Sequence, residues 1–134
     1  MISTRGRYAI RVMIDLAEQN TDKFVPLKDI AERQGISKKY LEIILKDMVA
    51  ANLVDSASGK GGGYKLIRPA SEYTIGEIVE TMEGPLSPVA CLADSKYKCD
   101  RKKICKTLPM WIEYAELTHN FFYSKKLSDI IESK

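Results

Sequence analysis

Stretches of helical period alternate with short polar breaks along this chain. Tyr8, Val12 and Leu16 fall on one helical face and Ala9, Met13 and Ala17 on the adjoining one, which predicts a first helix of roughly four turns. Ser3 or Thr4 offers a side-chain oxygen to cap its start, and Asn20-Thr-Asp-Lys breaks it. Phe24 and Val25 begin the next unit, and Pro26 marks the entry to a short helix from Leu27 to Gln34. Leu27, Ile30 and Ala31 face inward there, and Asp29 suits the positive end of the helix dipole. Gly35 predicts a tight stop, because glycine reaches positive φ at little cost. Ile36 is an apolar plug, and Ser37 caps a third helix. In that helix Leu41, Ile44, Leu45, Met48 and Val49 recur at i, i+3, i+4, i+7 and i+8, while Lys38 and Lys39 open the other face and Asn52 ends it.

Helix, turn with glycine, helix is a helix-turn-helix pattern. The next fifteen or so residues extend it to a winged helix. Residues 53–58 read as a strand, 59–63 as a glycine turn with Lys60 in it, and 64–68 as the return strand, stopped by Pro69. The glycines expose amide N–H groups, and Lys60 adds positive charge, so this wing suits a phosphate backbone. The loop lacks the Gly-Lys-Ser/Thr ending and the strand-to-helix context of a nucleotide cradle. Thr74-Ile-Gly-Glu77 is a capping box that opens a fourth helix, with Ile75, Ile78, Val79 and Met82 on one side and Gly84-Pro85 closing it.

A long helix is expected from Leu108 to Tyr123. Leu108, Trp111, Ile112, Ala115, His119 and Phe122 form a stripe on it, with Phe121 beside them. A winged helix is complete by residue 84, so this stripe is expected to pack on a second copy. The chain then ends in a short piece from Leu127 to Ile131. The fold class is mainly α with a small β-wing: a winged helix-turn-helix plus a long C-terminal dimerisation helix. Residues 1–84 are expected to form a DNA-binding winged-helix domain, 85–106 a cysteine-containing sensor loop, and 107–134 a dimerisation helix and tail.

Charge sharpens this picture. Residues 1–68 hold twelve Lys/Arg against eight Asp/Glu, whereas residues 69–134 hold nine against ten. The positive excess lies where a polyanion would bind. No apolar run is long enough to span a membrane, and the start, Met1-Ile-Ser-Thr-Arg-Gly-Arg, lacks an apolar signal stretch. A cytoplasmic address is expected, with no membrane partner. No Ser/His/Asp or paired-carboxylate arrangement stands out, so no enzyme activity is expected.

All three cysteines stand in Cys91-Leu-Ala-Asp-Ser-Lys-Tyr-Lys-Cys99-Asp-Arg-Lys-Lys-Ile-Cys105. An odd number cannot close a disulfide framework, and clustered cytosolic cysteines read as metal-binding or redox-active. Lys96, Lys98, Arg101, Lys102, Lys103 and Lys106 can offset the charge of three thiolates. The spacing fits zinc fingers badly, and no Cys-x-x-Cys motif is present for a thiol redox enzyme. The single histidine, His119, reads as a packed or interface residue. Along a helix it lies roughly 18–20 Å from Cys105, which makes it a poor fourth ligand.

Several stretches together resemble one family of bacterial transcription regulators. They are Ser3-Thr-Arg-Gly-Arg-Tyr8-Ala, Asp29-Ile-Ala-Glu-Arg-Gln-Gly-Ile-Ser37, Tyr40-Leu-Glu42 and Gly-Gly-Gly-Tyr64. The family contains the iron–sulfur cluster biogenesis regulator, the nitric-oxide-sensing repressor and the cysteine-metabolism repressor. The resemblance implies a homodimer of winged helices on double-stranded DNA. It implies that Ser37, Lys38, Lys39, Glu42 and Ile43 lie on or near the base-reading surface. It places Ser58, Lys60, Gly61 and Tyr64 in the wing, and brings Ser3, Arg5 and Arg7 to phosphates. Glu42 matches a position where some members discriminate operator classes. Cys91-x7-Cys99-x5-Cys105 resembles the motif that holds a 2Fe–2S or 4Fe–4S cluster, whereas Glu83-Gly-Pro-Leu-Ser-Pro-Val89 looks more like the cysteine-metabolism branch. Two usual places for a fourth ligand hold Leu108 and Tyr8 instead. Tyr8 or Asp15 of a second copy, Asp94, Asp100 and a small exogenous ligand are the alternatives. A second reading keeps the DNA-binding dimer and replaces the cluster by thiol oxidation or by a partner enzyme.

Overall fold

The first helix begins and ends where its local chemistry requires. In this computed structural model, which describes residues 2–93 and 99–132, α1 runs from Thr4 to Gln19. The Ser3 hydroxyl accepts the Gly6 N–H at 3.3 Å, and Asn20 closes the helix in the left-handed region at φ 43°, a conformation asparagine tolerates. Helix α2 (Leu27–Gln34) ends at Gly35, φ 64°. Helix α3 (Lys38–Ala50) starts from Ser37, whose hydroxyl accepts the Tyr40 N–H at 3.2 Å.

One core lies among these helices. Val12 and Met13 of α1, Ile30 of α2, and Leu41, Ile44, Leu45 and Met48 of α3 are all fully buried in it. Asp15 is 2% exposed, the one charged residue buried among the described residues. Arg33 grips it with two bonds, Nε at 3.0 Å and Nη2 at 2.9 Å, and Gln34 Nε2 donates to it at 2.9 Å. Arg11 donates in turn to Gln34. A buried carboxylate so supplied with donors is satisfied, and removing a partner would strand its charge.

Strands β1 (Val54–Ala57) and β2 (Gly63–Leu66) pair antiparallel, with Val54 opposite Leu66 and Ala57 opposite Gly63. They are shorter than the expected 53–58 and 64–68. At one end Gly59 and Gly61 turn the chain with φ of 81° and 79°. At the other, the N–H groups of Ile67 and Arg68 turn away to the Tyr73 hydroxyl, at 3.0 and 3.1 Å. That hydroxyl donates to the Leu53 carbonyl at 2.7 Å. The buried Tyr73 thus ties the start of one strand to the end of the other. Val25 and Tyr64 exchange backbone bonds at 2.8 and 2.9 Å, which joins the wing to the entry of α2. Gly63 permits this approach, because a Cβ there would strike the Val25 carbonyl.

The capping box forms as expected at the start of α4 (Ile75–Glu83). Its Glu77 also pairs with Arg68 at 2.5 Å. Short helix α5 (Ala90–Ala93) comes next, then α6 (Leu108–Ser124) and α7 (Leu127–Glu132). Helix α6 lies along α4. Gly76 makes room for the Tyr123 ring, which a Cβ would strike, and the Tyr123 hydroxyl donates to Glu80 at 2.7 Å. The C-terminal piece is anchored by the fully buried Leu127 and by Lys125 and Leu127 backbone bonds to Ile75 and Tyr73.

The stripe expected to face a second copy is divided by this arrangement. Phe122 packs against the core of its own chain, and Ala115 lines a groove with Glu80 of α4. Ile112 stays exposed, joined by Met110, Tyr114, Leu117 and Phe121. The physical reason is that α6 is apolar on several sides, and Gly76 decides which side meets α4.

Candidate nucleic-acid interface and cysteine segment

The outward face of α3 is formed by Lys38, Lys39, Glu42, Ile43 and Lys46, all exposed. Its inward face is the apolar row already described, so the helix is held by one side and offers the other. Ser37 keeps a free hydroxyl hydrogen after capping the helix and remains able to donate to a phosphate. Lys46 was not singled out from the sequence. Its position seven residues beyond Lys39 and three beyond Ile43 is the signal that places it on this face.

The other expected contacts fall into two groups. Ser58, Lys60 and Gly61 are exposed at the wing tip, where the Gly62 N–H closes the turn on Gly59 at 3.0 Å. Tyr64 is different: it is half-buried on β2, opposite Ser56, and packs on the core. Arg7 is exposed and makes a 3.3 Å bond to Thr4. Arg5 is ion-paired with Asp47 of α3. Ser3 directs both its N–H, at 2.9 Å, and its hydroxyl to Glu83 at the end of α4. Its donors are therefore committed inside the chain. Ser3 and Tyr64 thus have partners within the chain, and the exposed cations of the expected interface are Arg5, Arg7, Lys38, Lys39 and Lys60, with Lys46 added by the structure.

The cysteine segment bridges α4 and α6. Cys91 lies on α5, Cys99 after it, and Cys105 just before α6, and all three thiols are free and partly exposed. The Cys105 sulfur lies 3.3 Å from the Thr107 hydroxyl. That hydrogen bond, with backbone N–H groups of Thr107 and Leu108, holds the Cys105 thiol below its ordinary pKa. Among the described residues, no three His, Cys, Asp or Glu side chains converge to hold a metal ion. No helix among them is long and apolar enough to cross a membrane.

The family model for Rrf2, described as an iron-dependent transcriptional regulator, matches residues 2–133. The protein Rrf2 of Nitratidesulfovibrio vulgaris is 34% identical over 130 residues, spanning 97% of this chain and 86% of that protein. CymR, the global cysteine regulator of B. subtilis, superposes with a TM-score of 0.77 at 32% identity, covering 98% of this chain and 95% of its own. IscR of T. potens superposes with a TM-score of 0.74, also at 32% identity, covering 98% and 86%. The chain belongs to the Rrf2 family. It is a transcriptional regulator, not an enzyme, and its winged helix is that of its structural neighbours.

In this Rrf2 protein the candidates for a fourth ligand are not equivalent. Asp15 is sealed by Arg33 and Gln34, so it is no ligand for a second copy. The Tyr8 ring is packed edge-on against Tyr40 at 5.6 Å and covered by Arg11. His119 stacks on Tyr123 at 4.3 Å. It also lines a groove that Leu92 shares, so the fold brings it toward the Cys91 helix despite its distance along α6 from Cys105. Asp100 is exposed. Asp94, Lys96 and Lys98 lie outside the described residues.

Proposed function

We propose that this Rrf2 regulator binds double-stranded DNA as a homodimer. We further propose that Cys91, Cys99 and Cys105 hold an iron–sulfur cluster whose presence sets DNA affinity. The observation that carries this reading is the placement of three unpaired thiols in the one segment that links the DNA-binding half to α6. Thiolates are the usual ligands of such clusters. The acidified Cys105 and the cations Arg101, Lys102, Lys103 and Lys106 favour that ionised form. The donor chemistry fits the group. The thiols do not converge beforehand, so the segment has to gather around its cargo. When bound, the cluster supplies a redox-labile centre that fixes this segment. The family's description as iron-dependent supports the same reading.

The residues have separate tasks. Arg5, Arg7 and Lys60 meet phosphates, Lys38 and Lys39 steer α3 into the major groove, and Glu42 addresses base edges. Tyr114, Leu117 and Phe121 of the exposed row line a groove of about 870 Å³ with Ile2, Leu86, Pro88 and Trp111. A second copy covers it. Each lost phosphate contact, as in Lys60→Ala, should flatten the salt dependence of DNA binding by about one unit. An affinity that ignores salt refutes the DNA reading.

The cluster is tested by anaerobic reconstitution with iron and sulfide, followed by absorption and iron counting on wild type and on each Cys→Ala variant. Uptake should fall with every replacement. If wild type takes up no more iron than a variant lacking all three cysteines, regulation by thiol oxidation takes its place. The acidified Cys105 favours that second reading, because the thiolate is also the oxidisable form.

A further inference from the structure

The outward face of α3 is polar until its last residue, Ala50, with one exception. Ile43 is 50% exposed. It comes one turn after Lys39, precedes Lys46 by one turn and adjoins Glu42, all exposed. Its neighbour Ile44 is fully buried in the core, whereas Ile43 has no place there. A single exposed isoleucine in water needs no explanation. Here its surroundings supply one. Cations on both sides draw phosphates to this face, and a helix so flanked fits the major groove. There a base presents one apolar group, the 5-methyl of thymine. Isoleucine is also branched at Cβ and stiff at χ1, so it holds its apolar surface in one place.

We propose that Ile43 reads the 5-methyl group of a thymine in each operator half-site. The inference rests on the reading of α3 as the recognition helix and names the chemistry that this chain's own residue selects. Glu42 beside it accepts from the amino group of cytosine, so the two side chains recognise different features of pyrimidines. Ile43 supplies apolar contact and Glu42 supplies a charged acceptor.

The experiment begins with a duplex selected from a random pool by the wild-type protein. Each thymine of that duplex is then replaced in turn by deoxyuridine, which removes only the methyl group. Affinities are measured for wild type, Ile43→Ala and Ile43→Val. At one thymine per half-site the replacement should weaken wild type about fourfold, and about fifteenfold when made in both half-sites. The same replacements should leave Ile43→Ala unaffected, and Ile43→Val should keep part of the response. Thermal unfolding of the variants checks that this exposed site leaves the fold intact. Indifference of the wild type to every replacement overturns the inference, and so does an undiminished response in Ile43→Ala. A wild type that selects no sequence and binds no duplex refutes the recognition-helix reading itself, and this inference with it.

Discussion

Helices α3 and α6 are 13 and 17 residues long, and both carry apolar side chains on every turn. Their fates differ. Four residues of α3 are buried within the chain, and no residue of α6 is. In α3 every apolar position but Ile43 and the last residue, Ala50, keeps to one covered side, so a single core takes them and the cationic face is left for a partner of opposite charge. In α6 they run round the helix. One side meets α4, and Met110, Tyr114, Leu117 and Phe121 are left open. In the proposed function, the helix finished by its own chain reads DNA and the unfinished one is covered by a second copy.

The largest expected effect separates these two roles. Leu45→Ala in α3 should cost about 2–5 kcal/mol of fold stability, through lost burial and the cavity left behind. Leu117 is 63% exposed, and Leu117→Ala should change the stability of the monomer by only about 0.5 kcal/mol or less. Its charged counterpart, Leu117→Asp, should instead halve the sedimentation mass. Urea unfolding at dilute protein, where dimerisation adds little, gives the first comparison. If Leu117→Asp stays dimeric, the open row of α6 is not the interface.

A smaller effect is expected where α6 joins α4. Gly76→Ala places a methyl group against the Tyr123 ring. Overpacking of this kind costs about 1–3 kcal/mol, and the response should be uneven. Hydrogen exchange should speed up in α6 and α7 and stay unchanged in α3. The second change Tyr123→Ala removes the obstacle, so the double variant should be less destabilised than the sum of the two single ones. Simple additivity would show that the glycine is not what sets the position of α6.

These two helices also differ in how far the sequence discloses them. The elements of the winged helix were legible because their signals are local. Ser37, Gly35 and the Thr74–Glu77 box act within a few residues, and each holds the conformation its type predicts. The facing of α6 was not legible. It is set by a missing side chain at Gly76, far along the chain from the Tyr123 ring that fills the space. Ser3 illustrates the same limit at one position. Its role as a cap is local and was readable, whereas its attachment to Glu83 joins residues 80 apart. Asp15 reads as one more polar residue until Arg33 and Gln34 close over it. Tyr73 carries no sequence signal for the strand ends it ties together. Within the candidate interface, the exposure of Lys38, Lys39 and Lys60 was readable from position alone, because cations at a helix start and a loop tip need no distant partner.

The smallest effect distinguishes the two helices by pH. The buried contacts of α3 are apolar and carry no proton. The contact of α6 with α4 includes Tyr123, whose pKa is pushed up to about 12, first by burial and then by its bond to Glu80. A raised pKa favours the neutral phenol in the fold. The resulting stability is fully present below the ordinary tyrosine value of about 10 and is lost as pH rises through about 12. Glu77 sets the opposite limit. Burial pushes its carboxyl up, but hydrogen bonds from Arg68 and Thr74 outweigh this and leave it below its ordinary value. Its contribution is present above the ordinary carboxylate range and is lost as pH falls through its lowered pKa. Wild type should therefore lose stability more steeply than Tyr123→Phe above pH of about 10, while the two share one acid limb. Lysine deprotonation affects both proteins alike, so the difference between their urea midpoints isolates the phenol. Parallel curves on the alkaline side would mean that the Tyr123–Glu80 bond does not hold α6 to α4.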